Sequence, residues 1–360
     1  MINTLTSLRF FAALAVFFSH LAILTTFDET KWLFERILYQ GYLGVTFFFV
    51  LSGFILTFNY FDKFKTISKA KLKTFLINRV ARIYPVYVLT FLLSITLFYF
   101  NGLPFDIKTL SSVALANLTL TQSFIPDMKY YFSFNSPGWS ISDEMFFYLL
   151  FPFVIFLMHK FKFLKNIKSL VIICVLFYIS CFLFVWFTKD SPLDHWKFYV
   201  FPVFRFGDFL IGVLLGVAFK QLNSISKKGN FALFTFLEGL SIVCFVIALY
   251  FAPHVHVSLT YGVYYLPSLA LIIWVFAQQR GFFSRLLVHR KLIYLGEISF
   301  SFYLLHRTVF KYTEKVPLFT SNALIYILIT LGITLALSHL VYKYFEIPMK
   351  NRIKYKFSRY

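Results

Sequence analysis

Long apolar stretches alternate with short polar loops along nearly the whole chain. Ten of these stretches have the length that a helix needs to cross the hydrocarbon core of a bilayer. They cover residues 8–25, 40–61, 84–100, 144–158, 169–187, 199–219, 232–251, 259–277, 298–312 and 321–343. The pattern predicts an all-α, polytopic membrane protein with about ten transmembrane helices.

The composition agrees with this prediction and excludes a soluble globular protein. Of the 360 residues, 59% are hydrophobic, 22% are aromatic and only 14% are charged. A soluble domain carries about 25% charged residues. The first apolar stretch has no small-residue cleavage site, so we expect it to be retained as the first helix.

The basic residues are distributed unevenly between alternate loops. The chain has 35 lysines and arginines and a net charge of +20, and 24 of the 35 fall in the segments 62–83, 159–168, 220–231, 278–297 and 343–360. Only eight fall in the intervening loops. Because cytoplasmic loops of membrane proteins are enriched in lysine and arginine, this bias predicts that both termini are cytoplasmic. No basic domain remains that would bind nucleic acid.

The topology indicates a single membrane domain. We expect residues 1–348 to form the transmembrane domain and residues 349–360 to form a basic cytoplasmic tail. The longest outer segment, residues 101–143, mixes polar and aromatic residues. We expect it to be partly re-entrant or to lie along the membrane interface.

Two ionisable side chains lie within the first apolar stretch, where burial in lipid is costly. Arg9 and His20 are eleven positions apart, which corresponds to about 16 Å along a helix. We expect Arg9 at one membrane surface and His20 well inside the bilayer. An ionisable residue at that depth indicates a functional site, so we predict that the chemistry takes place at His20.

Two further arginines, Arg79 and Arg82, are three residues apart and share one face of a predicted helix. Guanidinium groups placed in this way bind the phosphates of one anionic ligand well. The alternative is that they only anchor the helix at the cytoplasmic surface. Arg9, at the same predicted surface, is a third candidate for the phosphates.

The fourth apolar stretch begins after a motif that combines aromatic and acidic residues, SPGWSISDE at positions 136–144. Trp139 is expected at the depth of the membrane interface. Glu144 either caps the helix or orients a histidine and stabilises its cationic form. We predict the second role, with His20 as the histidine.

Three other sets of polar residues have both structural and functional interpretations. Ser52 and the glycines of segment 41–44 are expected to pack against a neighbouring helix. The alternative is that segment 41–54 forms part of a passage for an acyl chain. Arg205 and Asp208 are expected to pair with each other. His306 is either a second polar group of the site or a structural histidine.

Seven motifs in this order resemble those of acyltransferase family 3, the membrane O-acetylases of O-antigens and exopolysaccharides. The motifs are LRFFAALAVFFSH, GYLGVTFFFVLSGF, NRVARIYPVY, WSISDEMFFYLLFPF, RFGDFLIGVLLG, LGEISFSFYLLH and YFEIP, and they extend from residue 8 to residue 348. The resemblance therefore covers nearly the whole chain.

The resemblance implies a multi-pass enzyme of the bacterial inner membrane. Such an enzyme transfers an acyl group, usually acetyl, from cytoplasmic acyl-CoA to a hydroxyl of a saccharide or lipid-linked glycan at the outer face. In the family pattern Arg9 and His20 form the catalytic Arg-x10-His signature, and Arg79 and Arg82 are associated with acyl-CoA. Acetyl-CoA is thus the expected donor, and neither a permanently bound cofactor nor a metal is expected.

We accordingly assign catalytic roles to His20 and Glu144, and substrate-binding roles to Ser52, Trp139 and His306. The chain departs from the family pattern at three positions, with Asp143 in place of an apolar residue, Asp208 in place of glutamate and Thr308 in place of proline. None of these departures affects Arg9 or His20.

Two mechanisms suit a histidine at this depth. His20 either removes the proton of the acceptor hydroxyl as a general base or carries the acyl group as an acyl-imidazole. The alternative function is a secondary transporter or flippase of a glycan precursor, because intramembrane charges also line transport pathways. Many transporters consist of two related halves, and this sequence shows no such repeat.

Overall fold

The chain is helical throughout the part that the structure describes, which contains no β-strand. The structure is a computed structural model that describes residues 2–102, 104–161, 166–223, 230–317 and 322–358. The all-α prediction is therefore confirmed. Parts of the basic segments 159–168, 220–231 and 343–360 lie outside the described residues, as does residue 321 of the tenth predicted stretch.

The bounds of the α-helices follow in chain order. They are α1 (Asn3–Ser19), α2 (Asp28–Arg36), α3 (Gly44–Tyr60), α4 (Lys69–Asn101), α5 (Ile107–Leu118), α6 (Met128–Tyr131), α7 (Gly138–Lys160), α8 (Ile167–Thr188), α9 (Pro202–Asn223), α10 (Phe231–Phe251), α11 (Val257–Thr260), α12 (Leu266–Ala277), α13 (Phe282–Leu287), α14 (Arg290–Thr313), α15 (Ala323–Val341) and α16 (Ile347–Ser358). Each of the ten predicted apolar stretches overlaps one of these helices.

Several helical segments have the length and composition to cross a membrane. Within the described residues there are seven, Asp28–Lys65, Lys69–Leu97, Gly138–Lys160, Ile167–Thr188, Trp196–Leu222, Phe231–His254 and Ala323–Phe357. Asn3–Ser19 and Val263–Ala277 are apolar but shorter. The chain is thus a polytopic membrane protein, while the count of ten spans and the cytoplasmic termini stay predictions.

Two helix boundaries differ from the predicted stretches in ways that matter for the site. α1 ends at Ser19, whereas the first predicted stretch runs to residue 25, and Ala22–Thr26 form a separate 3-10 turn. The prediction that one helix continues through His20 is therefore wrong. α4 begins at Lys69, well before residue 84, so that Arg79 and Arg82 share one helix as predicted.

Asparagine side chains begin three of the long apolar helices. Oδ1 of Asn166, of Asn230 and of Asn322 each accepts a hydrogen bond from a backbone N–H in the first turn of α8, α10 and α15, respectively. Such caps satisfy N–H groups that have no partner within the helix. The polar residue that ends each loop thus also fixes where the next helix starts.

The chain divides into two compact units, which consist of residues 1–12, 43–72 and 149–297 and of residues 13–42, 73–148 and 298–360. In the first unit, glycines allow α3 and α9 to approach each other closely. A Cβ atom added at Gly53 would collide with the carbonyl oxygen of Phe209, and one added at Gly212 would collide with that of Val50. Small residues permit such backbone approach between membrane helices, as predicted for this region.

A buried ion pair lies within the first unit. Nη2 of Arg205 is 2.8 Å from Oδ2 of Asp208 and also donates to Oγ1 of Thr46 at 2.9 Å. Nη1 donates to the carbonyl oxygen of Tyr261 at 2.7 Å. Buried charges require this kind of pairing. The predicted pairing of Arg205 with Asp208 is confirmed.

In the second unit, the outer segment packs on α4 through buried polar side chains. The hydroxyl of Tyr87 donates to the carbonyl oxygen of Asn117 at 2.9 Å and accepts from Nε2 of Gln122 at 3.2 Å. The same Nε2 lies 3.0 Å from the carbonyl oxygen of Gly138 at the start of α7. The segment predicted to be re-entrant or interfacial, residues 101–143, thus contains α5, α6 and the start of α7, joined by a hydrogen-bonded network.

The close approach of α3 and α9 gives the first prediction. We expect Gly53→Ala and Gly212→Ala to destabilise the protein by about 1–3 kcal/mol each, because the added methyl group must displace helix backbone. Gly239→Ala is the matched control, since a Cβ atom there meets nothing within 4 Å. The measurement is the temperature at which half of the purified protein in detergent aggregates. Equal midpoints for all three variants would contradict the packing described.

Candidate functional site

His20 lies at the point where α1 ends and its last turn tightens. The backbone N–H of His20 bonds to the carbonyl oxygen of Phe17, and that of Leu21 bonds to Phe18, both three residues back. The carbonyl oxygen of Val16 accepts from Oγ of Ser19 at 2.8 Å and lies 2.9 Å from Nδ1 of His20. Polar side chains thus satisfy a carbonyl group that the helix end leaves open.

His306 is the nearest polar partner of His20. It lies on α14, is fully buried and packs against the rings of Phe17, Tyr303 and Phe310. Its Nε2 atom is 3.1 Å from Nδ1 of His20. The structure therefore brings together two residues, 286 positions apart, that the sequence assigns to the site. His306 contacts a candidate catalytic residue, which favours the first of its two predicted interpretations.

The hydrogen bonds around the two rings determine where their protons lie. Nδ1 of His306 is 2.6 Å from the carbonyl oxygen of Tyr303, and because a carbonyl only accepts, this nitrogen carries the proton. In the neutral ring Nε2 of His306 is then an acceptor, so Nδ1 of His20 must be the donor to it. The same N–H also faces the carbonyl oxygen of Val16.

This assignment leaves one nitrogen available for chemistry. With its proton on Nδ1, neutral His20 has an unshared electron pair on Nε2. No hydrogen-bond partner of that atom occurs within the described ranges, and His20 is only partly buried whereas His306 is fully buried. Nε2 of His20 is therefore a base or nucleophile that a substrate can approach.

Arg307 adds a positive charge next to the histidine pair. It follows His306 on α14, is half-buried and interacts electrostatically with both histidines. Its Nε atom is buried and has no hydrogen-bond partner among the residues that the structure describes. Sequence reasoning did not assign a role to Arg307, and the only signal was a charged residue inside the ninth predicted stretch.

Glu144 lies on α7 and accepts a hydrogen bond from the hydroxyl of Tyr148. The hydrogen bonds of His20 go to Val16 and His306, so the contact that we predicted between His20 and Glu144 is not formed. The group that orients His20 is His306. A role for Glu144 in the reaction stays a prediction.

The first turn of α7 is also tied to α14 by hydroxyl groups. Oγ of Ser140 lies 2.8 Å from the hydroxyl of Tyr303, which precedes His306 by one helical turn. Trp139 is buried, and its carbonyl oxygen accepts from Oγ of Ser123 at 2.8 Å. Trp139 therefore belongs to the packing that supports α7.

The arginine pair on α4 has two different environments. Nη1 of Arg82 is 2.5 Å from Oε1 of the buried Glu346, whose other carboxylate oxygen accepts from Oγ of Ser301 at 2.7 Å. The guanidinium of Arg79 lies 5.7 Å from the ring centroids of both Phe75 and Tyr148. Arg82 thus has a carboxylate partner within the protein, which the spacing alone did not predict.

The two remaining candidates lie in the first unit. Arg9 is half-buried in the second turn of α1, and Ser52 is half-buried on α3 beside Gly53. Their predicted roles in binding donor and acceptor are not tested by these positions.

Comparison with known proteins gives a consistent result. The profile of the family described as an acyltransferase domain matches residues 2–343. The acyltransferase MdmB of Streptomyces mycarofaciens is 29% identical over 332 residues, which are 87% of this chain and 80% of that protein. No solved structure matches the chain.

Two further relatives are named O-acetyltransferases. The peptidoglycan O-acetyltransferase OatA of Listeria monocytogenes is 26% identical over 86% of this chain and 51% of its own length. OatA of Staphylococcus aureus is 25% identical over 97% of this chain and 57% of its own length. The chain spans just over half the length of these two proteins. The family profile covers nearly the whole chain, and so this protein, a multi-pass membrane enzyme that transfers acyl groups, belongs to acyltransferase family 3.

Proposed function

We propose that this protein is a membrane O-acetyltransferase that moves an acetyl group from cytoplasmic acetyl-CoA to a saccharide hydroxyl on the outer side of the bacterial inner membrane. The observation that carries the proposal is the contact between the half-buried His20 and His306, an arrangement that leaves Nε2 of His20 as the unprotonated nitrogen of the neutral ring. A thioester and a hydroxyl react only slowly without such a group.

The names of the relatives support a saccharide acceptor. One is named a peptidoglycan O-acetyltransferase and another an O-acetyltransferase. Because this chain matches about half the length of each, we take the shared part to be the one that transfers the acetyl group. The acceptor of the present protein is then a hydroxyl of a cell-surface or lipid-linked saccharide.

Two routes use the same nitrogen atom. In direct transfer, the acceptor oxygen bonds to the acetyl carbon, its proton passes to Nε2 of His20, and the C–S bond breaks. The proton then passes from the imidazolium to the sulfur, which gives free CoA thiol and regenerates the histidine. In the covalent route, Nε2 itself bonds to the acetyl carbon as the C–S bond breaks and CoA leaves as the thiolate. The acceptor oxygen then displaces the imidazole, and the proton lost from the hydroxyl balances the thiolate to give free CoA thiol.

The hydrogen bond from His20 to His306 suits both routes. Each route places positive charge on the His20 ring, and the Nδ1–H group then donates more strongly to its acceptors. Nε2 of His306 and the carbonyl oxygen of Val16 are both acceptors in that position. His306 is thus a positioning residue that also stabilises the charged ring.

We further propose that the CoA phosphates bind at Arg79, with Arg82 as an additional contact, while the role of Arg9 toward the donor stays a prediction. The guanidinium of Arg79 lies 5.7 Å from the ring centroids of Phe75 and Tyr148, and aromatic neighbours of this kind limit the positions that an arginine side chain can adopt. Arg82 has further N–H donors besides the one that faces Glu346. The predictions that Ser52 and Trp139 bind substrate and that Glu144 takes part in the reaction are retained.

Replacement of His20 is the direct test of the proposed function. We expect His20→Ala to lower acetyl transfer at least about a hundredfold, as the loss of a general base or nucleophile does. The assay uses purified protein in liposomes, radiolabelled acetyl-CoA and soluble peptidoglycan fragments, and it measures base-labile label on the glycan.

The control for this variant is His254→Ala, which removes an exposed histidine and should leave transfer unchanged. Both variants must elute as the wild type does in size-exclusion chromatography. A His20→Ala protein that retains a tenth of wild-type transfer would contradict the assignment. Movement of labelled glycan across the liposome membrane without ester formation would indicate transport instead.

The role of His306 predicts a ranking of three variants. The amide oxygen of glutamine reaches approximately the position of Nε2, where it accepts from His20, whereas that of asparagine does not. We therefore expect His306→Gln to transfer acetyl groups faster than His306→Asn and His306→Ala. Loss of one such hydrogen bond, worth about 1–1.5 kcal/mol, corresponds to about tenfold in rate. Equal rates for the three variants would exclude this function of His306.

The phosphate site predicts a change in donor affinity. Arg79→Ala should raise the KM for acetyl-CoA about tenfold or more, since a charge-assisted hydrogen bond contributes about 1.5–3 kcal/mol, and should leave kcat nearly constant. Arg352→Ala, which removes an exposed arginine of α16, serves as the control. Both constants are measured by steady-state kinetics. A fall in kcat of Arg79→Ala with constant KM for acetyl-CoA would disprove a role in phosphate binding.

A further inference from the structure

Three buried polar atoms without partners belong to the turn of α14 that carries His306 or to a side chain that is hydrogen-bonded to this turn. Within the described residues, Nε of Arg307, Oγ1 of Thr308 and Oδ1 of Asn135 are buried and make no hydrogen bond. Native proteins satisfy nearly all buried polar groups, so each exception calls for an explanation. A cluster of three beside a candidate catalytic residue points to a polar ligand.

The three atoms belong to one small region of the second unit. Arg307 and Thr308 directly follow His306 on α14. Asn135 is fixed to the same turn because its Nδ2 donates to the carbonyl oxygen of Leu304 at 2.8 Å. Asn135 itself is only 4% exposed, and its amide group is held with the oxygen as the unused end. The turn of α14 that precedes Arg307 is therefore packed and hydrogen-bonded to a buried side chain.

The charges around Arg307 leave its guanidinium available for an incoming group. No ion pair between Arg307 and a carboxylate occurs among the residues that the structure describes. Glu314 interacts with it only electrostatically and is 3.4 Å from the hydroxyl of Tyr326. Lys311, one turn further along, donates to the carbonyl oxygen of Phe134 at 3.1 Å.

Arg307 differs from two other arginines in its lack of a carboxylate partner among the described residues, whereas an unpartnered Nε also occurs at the buried Arg205. Arg205 has Asp208 as its partner, and Arg82 has Glu346. Arg307 has neither a carboxylate partner nor a partner for Nε, yet its charge acts on both histidines. A half-buried cation without a fixed counter-ion is well placed to stabilise negative charge that develops beside it during function.

We propose that Arg307 donates a hydrogen bond to the carbonyl oxygen of the acetyl group as that oxygen becomes an oxyanion during the reaction at His20. The proposal rests on the proposed function. When the acceptor hydroxyl or Nε2 of His20 bonds to the acetyl carbon, the π electron pair of the C=O bond moves onto the oxygen. The guanidinium stabilises the negative oxygen until the intermediate collapses. An electron pair of this oxygen then re-forms the C=O bond, and the C–S bonding pair leaves with sulfur.

Arg307 is suited to this role because its charge is permanent and its position is fixed by helix packing. A preorganised donor directed at the developing charge typically contributes about 10²–10³-fold to kcat. It contributes less to the binding of the uncharged thioester, so its removal should change kcat much more than KM. The same effect is expected for direct transfer and for the covalent route, because both form an oxyanion on the same atom.

The test compares Arg307→Met and Arg307→Lys with Lys311→Met in the liposome assay. Arg307→Met should lower kcat about a hundredfold with KM for acetyl-CoA within about threefold of wild type, and Arg307→Lys should recover part of the loss. Lys311→Met removes the same charge one turn away and should reduce kcat by less than about fivefold, an estimate that reflects its greater distance from the reacting atom.

A second measurement separates transition-state stabilisation from ligand binding. S-ethyl-CoA is a thioether that lacks the carbonyl oxygen, and it should inhibit wild type and Arg307→Met equally well. A weaker inhibition of the variant, or a rise in KM at constant kcat, would show that Arg307 binds a phosphate or another anionic group, which would overturn the proposal. A kcat above a third of the wild-type value in Arg307→Met would overturn it too.

The outcomes distinguish this inference from the proposed function. If wild-type protein transfers no label from acetyl-CoA, or if His20→Ala transfers it normally, the proposed function itself fails. If wild type is active, His20→Ala is inactive and Arg307→Met is fully active, only the role of Arg307 is disproved.

Discussion

The hydrogen bond between Nδ1 of His20 and Nε2 of His306 is the constraint on which the site depends. It has a defined direction because each ring also faces a backbone carbonyl, that of Val16 or that of Tyr303. A carbonyl cannot donate, so the protons are forced onto the Nδ1 atoms and the reactive electron pair onto Nε2 of His20. α1 ends at Ser19, and the His20 ring contacts the carbonyl of Val16 from the tightened turn that follows.

Several charged side chains elsewhere in the protein have fixed partners, which Arg307 beside His20 and His306 lacks. Glu238 accepts from the backbone N–H of Gly281 at 3.0 Å and from the hydroxyl of Ser284, so that the carboxylate caps α13. Arg205 and Arg82 each have a carboxylate partner. Each of these charged groups has a partner within the protein, although Nε of Arg205 makes no hydrogen bond among the described residues. Arg307, next to the histidine pair, has no carboxylate partner among the described residues, and a buried atom without a partner, such as its Nε, is one that a bound ligand can satisfy.

The sequence predicted what depends on local pattern. The apolar stretches located the helices, and the cost of an ionisable residue in such a stretch singled out His20. The pattern did not show where α1 ends, because the residues after Ser19 are as apolar as those before it. The Arg82–Glu346 and His20–His306 contacts join residues 264 and 286 positions apart, and no spacing rule reaches that far. The sequence also did not show that Tyr148, one turn away on α7, donates to Glu144, or that the hydrogen bonds of His20 go to Val16 and His306.

The direction of the hydrogen bond between His20 and His306 is tested most directly by measuring the tautomeric state of His20 in the resting protein. Nitrogen-15 NMR of protein labelled at its 8 histidines, with the His20 signals assigned by their loss in His20→Ala, reports which ring nitrogens carry protons. The hydrogen bonds to Val16 and His306 predict a neutral ring at neutral pH with the proton on Nδ1 and an unprotonated Nε2. A proton on Nε2, or on both nitrogens, would contradict it.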